Sequence, residues 1–279
     1  MYIHDKTDLV GLIPADVRAA TYTTADFDIS AYIRQGKLIL DAEAQGSGIT
    51  NTVKVQHSPA AAVGAASSAA GDADLPLNKS TGGKTKLAVK FTQTGARQIK
   101  HIDVVLKKNG TIASDKTLTL SLQSDSSGPD GTDLGVAGTV LANSIGASYE
   151  TVRFTFATPV PVADSTVYWV VITSNYTASD TNYIDWHVTT VVSGGTVSTY
   201  APSSWTAVTT QSAMFTSYQY NFADVPGGAF TAVGNAASLQ DLGIDLDSLG
   251  PALRAVATVA GGSSTGAYSL VLVAQVNQS

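Results

Sequence analysis

The chain has 279 residues, 44% of them hydrophobic and 14% charged, with a net charge of -6 and no cysteine. That balance describes a folded chain rather than a disordered one. It excludes disulfides and thiolate metal sites, and the acidic excess argues against phosphate-backbone binding, which needs clustered Lys and Arg. Only Glu43 and Glu150 represent glutamate, while Thr, Ser, Val and Gly abound; helices favour Glu, Lys, Leu and Ala, and strands favour β-branched and aromatic residues. An all-β fold is expected.

The first 20 residues carry Asp5, Lys6, Asp8, Asp16 and Arg18 without a long apolar run, which is not the pattern of a secretory leader. No later stretch reaches the roughly 18 apolar residues of a membrane helix. Strands are predicted over residues 37–44 and 53–56. Residues 60–70 are the one stretch that could form a helix, but Gly64, paired serines and the lack of charge predict a flexible linker over 59–83. The densest basic cluster, Lys79, Lys84 and Lys86, reads as a solvated domain start. Beyond it, Leu118, Leu120 and Leu122 alternate with polar residues, as do Val152, Phe154 and Phe156; period two is the mark of a half-buried strand. Residues 167–172 are apolar on both faces and read as a central strand. Turn signals stand at Asn109-Gly110, Pro129-Asp130-Gly131, Gly194-Gly195 and Pro226-Gly227-Gly228. Strands at 253–259 and 268–276 close the chain. Short strands with such turns indicate sandwiches rather than βαβ units.

Candidate chemistry is sparse. Gly262-Ser263-Ser264-Thr265-Gly266 fits the hydrolase G-x-S-x-G pattern, which requires a following helix; a predicted strand follows, so a hairpin loop is expected. Gly82-Gly83-Lys84-Thr85 imitates the end of a P-loop, but Asn78 replaces its first glycine. His4, His57, His101 and His187 form no metal-ligand spacing. Asp125, Asp130 and Asp133 could offer oxygens to calcium, without the spacing of an EF-hand; turn roles are expected. Tyr176, Tyr183, Trp186, Tyr200 and Trp205 fall in or near later loops, and planar aromatics can stack on sugar faces. The expectation is that Trp186 and Trp205 cap the sandwich core; the alternative makes the five aromatics glycan contacts. No enzymatic constellation emerges, and no cofactor is expected.

Two resemblances extend this reading. Thr52-Val53-Lys54-Val55-Gln56-His57-Ser58, the segment Phe222 to Thr231 reading FADVPGGAFT, Leu253-Arg254-Ala255-Val256-Ala257-Thr258-Val259 and the closing YSLVLVAQV resemble, with the middle removed, a small β-sandwich of tailed-bacteriophage virion proteins. The resemblance covers about residues 20–58 and 219–279 and implies a discontinuous capsid-binding domain, 1–58 with 219–279. An exposed hairpin tip tolerates such an insertion. Inside it, Leu106-Lys107-Lys108-Asn109-Gly110, Phe154-Thr155-Phe156, Val167-Tyr168-Trp169-Val170-Val171-Ile172 and Tyr183-Ile184-Asp185-Trp186 resemble jelly-roll-type modules of the choice-of-anchor R group over residues 84–218. Together they imply a decoration, or cement, protein on the outer capsid surface, assembled in the bacterial cytoplasm. Its partners would be the major capsid protein and further copies of itself on the lattice, a trimer being one arrangement. Two other readings remain: a virion-displayed adhesin for host-surface glycans, and a secreted accessory of a glycan-active enzyme.

Overall fold

The structure, a computed structural model, describes residues 7–276 apart from 18, 19, 25, 68–70, 83, 191–195, 202 and 262–266. It is all-β, and it divides into two compact units, Met1–Ala60 with Asn221–Ser279, and Ala61–Tyr220.

The first arm of the discontinuous unit supplies β1 (Thr7–Val17), β2 (Tyr22–Thr23), β3 (Phe27–Asp28), β4 (Tyr32–Ala42) and β5 (Thr50–Ser58). The continuous unit follows with β6 (Ala62–Ala66), β7 (Ala73–Leu77), β8 (Lys86–Thr92), β9 (Arg97–Asn109), β10 (Thr117–Asp125), β11 (Pro129–Val136), β12 (Val140–Leu141), β13 (Glu150–Val162) and β14 (Val167–Ser174). It continues with β15 (Tyr183–Thr189), β16 (Val197–Ala201), β17 (Ser204–Val208), β18 (Ser212–Ala213) and β19 (Phe215–Tyr220). The second arm adds β20 (Ala223–Ala229), β21 (Ser238–Asp245), β22 (Ala252–Ala260) and β23 (Ala267–Val276).

In the discontinuous unit one sheet runs β1-β23-β4-β21 and the other β2-β22-β5-β20, with β3 also on β22. The two arms interleave: β4 lies between β23 and β21, and β5 between β22 and β20. Neither arm can complete a sheet alone. Leu38 and Leu40 from one sheet and Val53, Val55, Leu253 and Ala255 from the other are buried together with Ile13, Leu270 and Leu272. The end of β5 meets the start of β20 through His57 opposite Ala223, and the Asn221 amide donates to Ser58 Oγ at 3.0 Å. Pro226-Gly227-Gly228 is not a turn between strands. It lies inside β20, where the register on β5 jumps between Asp224 and Ala229, and Gly227 there has φ +71°. This is a bulge, the place where Pro and a positive-φ Gly are tolerated in a strand.

The continuous unit is a sandwich of two sheets, β11-β10-β14-β8-β16-β17 with β12 on β10, and β18-β15-β9-β19-β6 with β13 on β9 and β7 on β15. Period-two residues fill the space between them: Leu118, Leu120 and Leu122, Val170 and Ile172 from the first sheet, Phe154, Phe156, Ile102 and Val104 from the second. Phe91 and Phe215 meet across the gap with ring centroids 5.6 Å apart. The linker expected over 59–83 contains two strands. Val63 pairs opposite Tyr218 in β6, and β7 pairs along β15 from Ala73 opposite Val188 to Leu77 opposite Ile184. Small residues do not exclude a strand when a long neighbour supplies the ladder. At Gly64 a Cβ would lie 2.1 Å from Cδ of Gln219, so a side chain there would have to move the Gln219 amide off its bonds with Gln93.

Candidate functional site

The outer face of the four-stranded sheet in the discontinuous unit is the first candidate. Strand alternation sends Leu38, Leu40 and Ala42 inward and places Lys37, Ile39 and Asp41 outward. Registers then assemble rows across the sheet: Leu9, Val273, Lys37 and Gly243 in one, Gly11, Val271, Ile39 and Asp241 in the next. Ser269, Asp41 and Leu239 form a third. Leu9 and Leu239 are each 75% exposed at opposite edges, so two large apolar side chains project from a face whose centre is Val271, Val273 and Ile39. Beside them a shallow cavity of about 420 Å³ is lined by Gln35, Gly36, Lys37, Asp241, Gly243, Val273 and Ala274. Lys37 and Asp241 pair across it at 3.0 Å. A Cβ on Gly243 would meet nothing within 4 Å, and the same holds for Gly11. Projecting leucines beside glycine-floored recesses make a relief suited to a complementary protein surface.

The five aromatics nominated from sequence do not form one site. Trp186 is 1% exposed in the core, and its indole Nε1 donates to the Met214 carbonyl at 2.8 Å. Tyr176 is also buried; its hydroxyl donates to the Leu77 carbonyl at 2.8 Å and accepts from the Ile184 amide at 3.1 Å. Burial pushes that phenol up to about 12. Tyr183 is half-buried against the core, with Lys79 Nζ 5.0 Å from its ring centroid. Tyr200 and Trp205 lie elsewhere, on the solvent side of the other sheet. Val197 of β16 points into the core, so Tyr200, three residues on, points away, and Trp205 stands directly opposite it on β17. Trp205 therefore does not cap the core. It packs over Ala88, Val171 and Trp169 on the outer face and meets Tyr200 edge-on at 5.2 Å. Lys86 lies 4.9 Å from the Tyr200 ring centroid.

Trp169 joins this outer cluster and was not among the nominated aromatics. Its position within the doubly apolar run 167–172 marks it as core, yet alternation along β14 turns it outward. Its Nε1 donates to Asp125 Oδ1 at 2.6 Å. That bond gives Asp125 a structural role. Asp130 accepts from Ser124 Oγ at 2.8 Å and the Thr132 amide at 2.8 Å, and Asp133 accepts from Gln123 at 2.9 Å. The three carboxylates are thus committed to separate hydrogen bonds, and no cluster of three or more metal-type ligands occurs among the described residues. The P-loop-like segment leads into β8 rather than a helix, and Gly82 has φ +98°. Gly262 to Gly266 and Gly194-Gly195 lie outside the described residues.

No protein-family model matches the chain, and no curated protein matches it. Among solved structures it is similar to T=1 particles derived from infectious bursal disease virus, at 10% identity and TM-score 0.26 over 99% of this chain and 78% of the other. It is similar also to the VP2 subviral particle of that virus, at 9% identity and TM-score 0.26 over 98% and 80%. The Gt strain of the same virus gives 10% identity and TM-score 0.23 over 99% and 81%. TM-scores this low do not define a shared fold, and no functional conclusion rests on them.

Proposed function

We propose that the chain is a non-catalytic virion protein that decorates a bacteriophage capsid, docking through the outer face of the β1-β23-β4-β21 sheet while the continuous unit is displayed to the medium. The observation that carries the proposal is the unpartnered apolar relief of Leu9, Val271, Val273, Ile39 and Leu239 on the unit whose two arms resemble phage virion sandwiches. A cement role needs a wide complementary interface on a stable scaffold rather than a reactive site. The natural test is a double variant of the full chain, Leu9→Asp with Leu239→Asp, offered to shells lacking this protein. Both side chains are largely in solvent, so the fold should lose less than about 0.5 kcal/mol. Decoration should fall at least about tenfold, since two charges would be desolvated against the shell. Undiminished decoration by a folded variant would remove this face from the proposal.

A second reading is a glycan-binding role for the continuous unit, and one observation favours it: Tyr200 and Trp205, with Trp169 beneath, stand on the solvent side of a sheet. Displayed in many copies, even a weak platform of that kind would give avidity.

A further inference from the structure

A cluster of titratable side chains lies on the continuous unit, on the other sheet from Tyr200 and Trp205. Lys107 on β9 and Asp185 on β15 are direct cross-strand partners, so their side chains leave the sheet on the same face. Lys107 Nζ lies 3.6 Å from Asp185 Oδ2, and the Asp185 side chain is only 4% exposed. The same ammonium donates to Asp74 Oδ2 on β7 at 2.8 Å. Asn109 Nδ2 donates to Asp185 Oδ2 at 2.7 Å. Tyr149 covers the group: its ring centroid is 4.6 Å from Lys107 Nζ, its hydroxyl donates to Asp74, and its ring stacks on His187 at 3.8 Å.

A half-buried lysine beside a buried aspartate, with a second carboxylate on the amine and an amide donor on the acid, contains every group an amide condensation needs. We infer that Lys107 and Asp185 close an intramolecular amide bond, with Asp74 as proton acceptor and Asn109 as the donor to the developing oxyanion. Asp185 enters as the neutral acid, and burial pushes its carboxyl above the ordinary range. The Lys107 ammonium passes one proton to Asp74, which releases it to solvent. The freed nitrogen lone pair then attacks Cγ of Asp185, forming the C–N bond, and charge on Oδ2 is held by Asn109. The second nitrogen proton goes to the departing hydroxyl of Asp185, the C–O bond breaks and water leaves. Nothing is oxidised or reduced, and no co-reactant is needed. Burial pulls the Lys107 pKa down, but the hydrogen bond and charge of Asp74, then Asp185, raise it overall. Burial raises the Asp74 pKa, but hydrogen bonds from Lys107 and Tyr149 lower it overall, so Asp74 holds the proton only in passing. Fixed apposition at this distance supplies the effective concentration that makes the condensation feasible once Asp74 and Asn109 assist it.

Such a bond would staple β15, and β7 with it, to β9, where the pairing spans only Tyr183 opposite Asn109 to Trp186 opposite Leu106. It would close the chain from 107 to 185 in a protein that has no cysteine for the purpose, and loops of that length gain much from cross-linking.

The inference does not depend on the proposed function, and intact mass spectrometry of the purified full-length chain tests it. The expected mass is one water, about 18 Da, below the sum of the residues, and a proteolytic digest should yield one branched peptide joining Lys107 to Asp185. Lys107→Arg and Asp185→Ala should each restore the full mass. Asp74→Ala should keep both ends and restore the full mass too, a change that a merely structural aspartate would not produce. A wild-type chain at full mass overturns the inference. So does a water loss that persists in Lys107→Arg, because dehydration at an Asp-Gly pair such as Asp130-Gly131 gives the same mass.

Discussion

Replacing Trp186 and Trp205 in turn separates two tryptophans that the sequence treats alike. Trp186 is enclosed by the core and its indole satisfies the Met214 carbonyl. Its truncation to Ala would cost about 3–5 kcal/mol from lost packing and about 1 kcal/mol more from the broken hydrogen bond. That sum approaches the whole stability of an ordinary domain, about 5–15 kcal/mol, so Trp186→Phe is the better variant. Phe keeps a ring but opens a void of several atoms and removes the indole hydrogen bond, leaving the carbonyl the longer bond from the Val105 amide at 3.4 Å, about 2 kcal/mol together. For a unit of this size each kcal/mol moves Tm by about 2–4 °C, which gives a fall of about 4–8 °C. Trp205→Phe makes the same chemical change on the outer face, where the half-exposed ring lies over Ala88, Val171 and Trp169; its cost should stay under about 1 kcal/mol. The assay is thermal unfolding followed by tryptophan fluorescence. All three tryptophans, Trp169, Trp186 and Trp205, belong to the continuous unit, so the signal reports that unit even if the other melts separately. Equal shifts for the two variants would refute the assignment of opposite faces.

Two further outcomes are expected. Burial, then the charge of Arg153, holds the His101 pKa below the usual histidine value of 6.5, and the ring stacks on Tyr218 at 4.4 Å; the native state therefore favours neutral imidazole, and the stability it contributes is complete above pH 6.5 and lost as pH falls through the folded pKa. The Tm of the continuous unit should drop between pH 7.5 and 5, and His101→Phe, which keeps the stack, should flatten that slope; an unchanged slope would dismiss His101 as its source. For the glycan reading, virions carrying Trp205→Ala should lose array signals that Trp186→Phe virions keep, and an array silent for wild-type virions would discard that reading.

Strand positions were legible where apolar and polar residues alternate cleanly; β19, whose buried positions Phe215, Ser217 and Gln219 are mostly polar, was not predicted. Leu118, Leu120 and Leu122, or Val152, Phe154 and Phe156, reveal period two because each strand must sort its own side chains between core and solvent. The all-β class follows from the same local physics. β6 and β7 were not legible. Their residues, such as Ala62-Val63-Gly64-Ala65-Ala66, carry little propensity of their own and become strands because β19 and β15 offer them a ladder, a non-local cause that composition does not record. Pro226-Gly227-Gly228 likewise reads as a turn in isolation, and only the partner β5 turns it into a bulge.

The candidate surfaces divide the same way. Sequence alone determined that the chain is built of strands, that its two flanks read as one interrupted module, and that aromatics gather late in the insert. Tertiary structure decided which aromatics see solvent: alternation says that Trp205 and Tyr200 share a face, but not that this face is the outer one. It decided that Leu9, Val273 and Leu239, far apart in the chain, meet on one exposed sheet. It also set Lys107 opposite Asp185. Periodicity along a strand is a local property, whereas the choice and register of its partners depend on every strand in the sandwich, and each of these sites is made by register.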